Sequence, residues 1–533
     1  MIVRVAQIVR VAQNARSAQN GRLAVKVRAV ARAHRLPIVL VMLAAAAPTL
    51  VADDIASHPL ELEFPPLEFQ VPRAEELRHE LSNGIPVYLV EDHALPLVDI
   101  RIIVRMGEFL EPATKVGLAG LTGALMRRGG TESLPPDELD ERADFLAADI
   151  STSVGDTSGN ATLNCLSSVL EECLDLFFDV MKNPRFDAGR LELEKGNLLE
   201  ELKQRNDHPA QIASREWQWL MYGDEHFTSR QVTGDSLAAI TRDDLVGFHR
   251  SYFRPENMLI AVAGDTTAEA LLPELEERFA SWAGGSGEEV PWPPPEARSV
   301  PDPGVYVVEK EIPQGNVRIG HLGKERESWD DPDDAALAIM NDILGGGGFT
   351  SRLTKRIRSD EGLAYSAGSQ FGVGTFWPGT FTVFYQSKSE TVALAAKIAR
   401  EELERIRREP VTDEELSTAK ASFIETFPSN FESARTVASL FATDEYLGRP
   451  HEYWYRYRER VAAVDQDDVK RVAEEHLHPD RLVMLIVGEW GEIEKGDADR
   501  RATMAEIAGG DVTLLPLRDP ISLEPMAPAG SDR

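Results

Sequence analysis

The chain has 533 residues, 43% of them hydrophobic and 27% charged, with 39 Gly and 32 Pro. That balance supplies ample core and excludes a collagen, a coiled-coil rod and a largely disordered polymer. Lys and Arg number 57 against 88 Asp and Glu, a formal charge of -31, and the first 52 residues hold eight of the bases and no acid. The other 481 residues therefore carry 49 bases against 88 acids, a net of -39. Such a surface repels phosphate backbones and anionic headgroups, which sets nucleic-acid binding aside.

Residues 1–35 are basic and low in complexity, with Ile2–Gln7 recurring as Ile8–Gln13. An apolar run from Leu36 to Ala52, broken by Pro37 and Pro48 and followed by Asp53-Asp54, fits a signal peptide cleaved near Ala52. It is shorter than the ~20 residues that span a bilayer. The expectation is export to the periplasm with no stable membrane anchor after cleavage. Cys165 and Cys173 are the only cysteines; a disulfide and two buried thiols both remain open.

Pro86–Val90 and Val98–Val104 alternate as strands do, whereas Val169–Met181 and Leu191–Gln204 carry helical periodicity. Downstream, Val305–Val308, Val317–Leu322 and Gly379–Tyr385 read as strands, and Val392–Arg407 and Glu414–Phe427 as helices. The strongest internal signal is a repeat. Asp243-Asp244-Leu245, a helical stretch, Phe253-Arg254-Pro255-Glu256-Asn257 and an apolar strand ending in Gly264-Asp265 recur as Asp467-Asp468-Val469, a helix, Leu477-His478-Pro479-Asp480-Arg481 and a strand ending in Gly488-Glu489, offset by 224. A period that long means two tandem domains. The predicted class is α+β, two homologous domains, each a mostly antiparallel sheet packed with helices. The expected divisions are a signal peptide with a basic extension (1–52), a first domain (53–290), a stiff Pro-rich linker (291–304), a second domain (305–490) and a partly disordered tail rich in Gly, Pro and Asp (491–533).

From about Leu77 to Gly488 the chain resembles the insulinase/pitrilysin-like metallopeptidases, the inverted zincins. The resemblance rests on Leu81-Ser82-Asn83-Gly84-Ile85-Pro86-Val87, Val104–Gly107, Gly117-Leu118-Ala119, Thr233-Gly234 and Tyr252–Asn257 in the first half. In the second half it rests on Ile343–Leu353 and on Arg358 followed by Gly362-Leu363-Ala364-Tyr365. It implies two domains forming a clam-like chamber for peptides. Where active members carry H-x-x-E-H, this chain reads Gly120-Leu121-Thr122-Gly123-Ala124. Two zinc ligands and the general base are missing, since hydrogen and methyl offer no lone pair.

The family's third ligand falls at Glu201, with Glu194 as its outer companion one heptad earlier; both are equally readable as surface carboxylates. None of the histidines after the signal segment lies on the helix that would have to present them, and His476 and His478 sit at a predicted helix C-terminus, where an imidazole needs no metal. By resemblance, Arg358 and Tyr365 are the pair that hydrogen-bonds substrate, and Gly345, Gly346, Gly347 and Gly348 line the peptide chamber. A guanidinium fork and a phenol can hold a peptide carbonyl and the oxyanion developing on it; the alternative is a surface ion pair and a packed tyrosine. The reading that follows is a non-catalytic subunit of a two-chain exported metallopeptidase. It would hold no cofactor itself, with zinc on a partner of the same family bearing H-x-x-E-H, and would meet peptide substrate through Arg358 and Tyr365. Two alternatives stand beside it: a structural or peptide-binding pseudopeptidase, and a self-sufficient peptidase with an unorthodox metal site.

Overall fold

A computed structural model describes residues 69–282, 290–294, 301–510 and 512–526. The segment read as a signal peptide lies outside the described residues. Two six-stranded sheets organise the rest. The first contains β1 (Arg78–Glu80), β2 (Pro86–Glu91), β3 (Leu97–Arg105), β4 (Asp149–Val154), β5 (Ser158–Leu166) and β6 (Met258–Gly264), in the order β1-β2-β6-β3-β5-β4. Only β2 and β6 run parallel. The second contains β7 (Gly304–Glu309), β8 (Gln314–Leu322), β9 (Ala364–Phe371), β10 (Thr380–Lys388), β11 (Val483–Gly488) and β12 (Val512–Leu515), in the order β9-β10-β8-β11-β7-β12. Read from the β4 and β9 edges inward, five strands of the two sheets correspond one to one.

The inner face of the first sheet is covered by α1 (Leu118–Arg128), α2 (Pro136–Leu146), α3 (Leu170–Lys182), α4 (Ala188–Lys203), α6 (Arg242–Tyr252) and α7 (Ala268–Ala280). That of the second is covered by α8 (Asp333–Asn341), α9 (Val392–Arg408), α10 (Asp413–Thr426) and α12 (Gln466–His476). The repeated segment nucleates the same way twice. Thr241 accepts from the Asp244 amide while Asp244 caps back onto Thr241, and Asp465 and Asp468 repeat this box at the start of α12. Each such cap contributes about 1 kcal/mol.

The two halves exchange helices. α5 (Pro209–Tyr222), from the first half, lays Ile212, Ala213, Trp217 and Met221 on the outer face of the second sheet, against Val308, Val483, Leu485 and Val487. α11 (Ala434–Leu447), from the second half, lays Val437, Ala438, Phe441, Ala442 and Tyr446 on the outer face of the first, against Tyr88, Ile103, Leu259, Ala261 and Ala263. The central strands β6 and β11 are thus buried on both faces, which is why they read as unbroken apolar runs. A fully buried aromatic such as Phe441 contributes about 1.5–3 kcal/mol to this contact.

Two expectations change. The Pro-rich linker is not simply an extended spacer: the Trp292 ring packs 6.5 Å from Phe109 and 4.9 and 5.0 Å from Phe376 and Tyr446, touching both halves. Of the tail, expected to be partly disordered, residues 491–510 and 512–526 are built into the fold. β12 adds in parallel to β7, Arg518 stacks on Trp219 at 4.6 Å, and the carbonyls of Arg518, Pro520 and Ile521 accept from Asn206, Arg205 and the Gly234 amide. Its composition concealed this because the strap is held by backbone carbonyls, which any residue supplies.

Candidate functional site

α1 carries the segment that stands in place of the zinc motif. Its N-terminus is closed by Glu111, whose carboxylate accepts from the Ala119 amide at 2.5 Å and the Gly117 amide at 3.2 Å. Burial pushes the Glu111 carboxyl up to about 6 even so, the two amide bonds and Arg230 pulling the other way. Gly120 is exposed with nothing within 4 Å of where a Cβ would stand. Gly123 is buried against the edge strand β4: a Cβ there would lie 2.3 Å from the Val154 amide nitrogen and 2.6 Å from the Ser153 carbonyl carbon. The Thr152 hydroxyl donates to the Gly123 carbonyl at 2.6 Å, tying helix to strand. The position of the missing base is therefore filled by backbone as well as emptied of its side chain.

Ala124 is half-buried and offers only a methyl. On α4, Glu194 pairs with Arg128 of α1 at 3.1 Å, so its charge is already neutralised. Glu201 is exposed, and its carboxylate makes no hydrogen bond or ion pair among the described residues. A zinc ion needs three protein ligands here, and of the five positions the resemblance singles out, Gly120, Gly123, Ala124, Glu194 and Glu201, only Glu201 has a carboxylate without a partner. The residues do not fit the metal.

The second half is differently made. The helix begun by α8 widens into a π-helical turn, Asp342–Gly346, that carries Gly345 and Gly346, and a second π-helical stretch, Thr354–Asp360, carries Arg358. Such turns are frequent at functional sites because they re-aim side chains. Gly345 is buried, and a Cβ there would stand 2.4 Å from the Ser369 amide nitrogen of β9. It meets an edge strand as Gly123 meets β4, so its want of a side chain serves helix–strand approach. Cβ atoms at Gly346 and Gly347 would press on Asn341 and Asp342, and Gly348, at φ +61°, alone of the four faces open space.

The pairing of β9 with β10 slips between Ala364 and Ala367, and this bulge turns Tyr365 outward, 83% exposed. Arg358 lies between two rings, its guanidinium carbon 4.5 Å from the centroid of Tyr365 and 4.5 Å from that of Phe349. Among the described residues it makes no ion pair or hydrogen bond. The two rings lie against the cation and no protein anion takes up its donors, an arrangement that can receive a carbonyl or carboxylate. Sequence reasoning missed Phe349, 70% exposed; an aromatic directly after a glycine run was its signal. It also left Arg352 without a role. Arg352 is buried and forks onto Glu415 at 2.7 and 2.9 Å, anchoring this segment to α10 and holding the Glu415 carboxyl down at about 2 against its burial.

One other group of ligand-type side chains occurs among the described residues. Asp333, Glu475 and His476 place their donor atoms within 4.8 Å of one another, where α8 meets α12. Arg471 lies 2.8 Å from Asp333 and 3.7 Å from Glu475, so a guanidinium already fills the role a cation would take.

Fold and site together define a two-domain α+β chain of peptidase type, with an Arg/Tyr face retained and the hydrolytic motif absent. It belongs to the insulinase family, peptidase family M16: the insulinase model matches residues 87–229 and that of the peptidase M16 inactive domain residues 239–423. An uncharacterized zinc protease of Mycobacterium bovis is 25% identical over 416 residues, 78% of this chain and 93% of its own. The non-peptidase homolog YmxG of Helicobacter pylori is 25% identical over 425 residues, 78% of this chain and 95% of its own. Among solved structures, a peptidase M16 inactive domain from Pseudomonas fluorescens superposes with a TM-score of 0.68 at 25% identity, covering 77% of this chain and 97% of that one. No helix among the described residues is long and apolar enough to cross a membrane.

Proposed function

We propose that this chain is the zinc-less subunit of an exported two-chain metallopeptidase, in which a partner of the same family bearing H-x-x-E-H performs the hydrolysis. The observation that carries the reading is Arg358: a half-buried cation with no anion of its own, 4.5 Å from each of the rings of Phe349 and Tyr365. A peptide carbonyl brought to the 83% exposed Tyr365 would meet both the phenol and the guanidinium. α1, sealed onto β4 at Gly123, contributes wall. Export rests on the apolar run Leu36–Ala52 and its small-residue end.

The test is reconstitution with an H-x-x-E-H family member from the same cell. The isolated chain is expected to hold no stoichiometric zinc and to cleave nothing. Arg358→Ala in the pair is expected to lower turnover on the order of a hundred- to a thousandfold, the cost of losing one oxyanion donor. Unchanged turnover removes the substrate role. A second reading, a peptide-holding protein without hydrolysis, is favoured by the relative named as a non-peptidase homolog. It prevails if no zinc-bearing partner co-purifies and peptide binding is insensitive to chelator.

A further inference from the structure

We infer that a cavity enclosed by the two π-helical stretches, α9 and α10 binds the zwitterion of a free α-amino acid. It has a volume of about 620 Å³, and its lining includes Asp342, Phe349, Arg352, Lys355, Glu402 and Ala419. Two of these side chains are buried charges, Arg352 being 6% and Glu402 1% exposed. Each is only partly satisfied by the fold. Arg352 turns Nε and Nη2 onto Glu415, and its Nη1 has no hydrogen-bond partner. Glu402 accepts from Arg356 through Oε1 at 2.8 Å, whereas Oε2 accepts no hydrogen bond and has Arg405 3.7 Å away.

One cavity thus has a spare donor on a buried cation and a spare acceptor on a buried anion, groups that folded proteins nearly always satisfy. A simple anion suited to Arg352 is repelled by Glu402, and a simple cation suited to Glu402 is repelled by Arg352. A ligand bearing both charges answers both. The more accessible lining repeats the pattern with exposed Lys355 and half-buried Asp342, neither of whose side chains makes a hydrogen bond or ion pair among the described residues. Burial raises the Asp342 carboxyl, with no cation beside it to oppose the shift.

In this arrangement the ligand carboxylate accepts from Arg352 Nη1 and from Lys355, and its ammonium donates to Glu402 Oε2 and to Asp342. Phe349, Ile343 and Ala419 supply apolar lining for the ligand side chain. The interior of a peptide carries neither end charge, so this ligand differs in kind from the peptide proposed at Arg358, although the Phe349 ring belongs to both sites. The inference stands independently of the proposed partner.

The full chain is titrated calorimetrically with L-leucine, with L-leucinamide, which keeps only the ammonium, and with N-acetyl-L-leucine, which keeps only the carboxylate. One L-leucine per chain is expected to bind with a Kd of about 1 mM or tighter, and each blocked form at least about tenfold more weakly, through loss of a charge-assisted contact. Asp342→Asn and Lys355→Met are each expected to weaken L-leucine by about fivefold or more, and to leave the urea midpoint unmoved because neither side chain bonds to the fold. Both variants leave the Arg352–Glu415 fork in place. Absence of saturable L-leucine binding overturns the site. A blocked form that binds as tightly as L-leucine overturns the recognition of both charges, and undiminished affinity in both variants overturns the placement in this cavity.

Discussion

Gly120 and Gly123 stand three residues apart on α1, yet alanine is expected to have opposite effects at the two. In an exposed helix interior alanine is favoured over glycine by about 1 kcal/mol. Gly120 has open space around it, so Gly120→Ala is expected to stabilise the chain by about 0.5–1 kcal/mol. At Gly123 the added methyl would lie 2.3 Å from the Val154 nitrogen and 2.6 Å from the Ser153 carbonyl carbon, atoms of a hydrogen-bonded strand that no rotamer change can move. Overpacking costs roughly 1–3 kcal/mol, and here α1 must also be prised from the bond Thr152 donates to it at 2.6 Å. The propensity gain offsets about 1 kcal/mol of that, which separates the two variants by about 1–3 kcal/mol. Urea unfolding midpoints of the two variants and the parent decide the matter. A Gly123→Ala chain as stable as Gly120→Ala would refute the claim that β4 occupies the place of the missing base. By the same reasoning, restoring the motif through the combined substitutions Gly120→His, Gly123→Glu and Ala124→His is expected to leave elemental analysis without stoichiometric zinc.

Three further outcomes are expected. Burial first, with Asp156 and Glu111 adding to it, raises the Glu108 carboxyl to about 7 from 4.5; the folded chain therefore holds this proton more tightly than the unfolded one, and stability is lost as pH rises from 4.5 through 7. Glu108→Gln is expected to stabilise the chain by about 1–2 kcal/mol at pH 8 and by little at pH 4, read as the pH dependence of the midpoint difference. His321 accepts from the His478 amide at Nε2 and donates from Nδ1 to the Leu322 carbonyl; burial keeps it neutral, with a pKa of about 4, although the bond to Leu322 pulls the other way, and nitrogen chemical shifts should show the Nδ1–H tautomer still present at pH 5.5. Arg518→Ala removes the ring contact with Trp219 and the cation 3.8 Å from buried Glu216. It is expected to destabilise the chain by about 1–3 kcal/mol in the same urea assay, and an unchanged midpoint would show that the strap does not hold the halves.

The helices and strands of both halves were legible because their signals are local. The capping boxes at Thr241 and Asp465 lie within four residues of the helices they start, and the alternation along β3 and β8 is carried by the strands themselves. Arg358 and Tyr365 were legible as a motif but not as a geometry: the stacking on Phe349, and the bulge that exposes the phenol, depend on how β9 pairs with β10. Gly345 was read as chamber lining, and the fold gives it a packing role that only the position of Ser369 reveals.

By itself, the amino-acid order determined the duplication, the family likeness and the loss of three side chains able to hold or serve a metal ion, since composition and spacing suffice for each. Tertiary structure decided the rest. That Gly123 is closed by β4, that α5 and α11 cross to the opposite sheet, and that the tail fastens the halves are all contacts through space. Their partners lie on different elements, many of them tens to hundreds of residues apart, and no local periodicity encodes which surfaces burial will bring together.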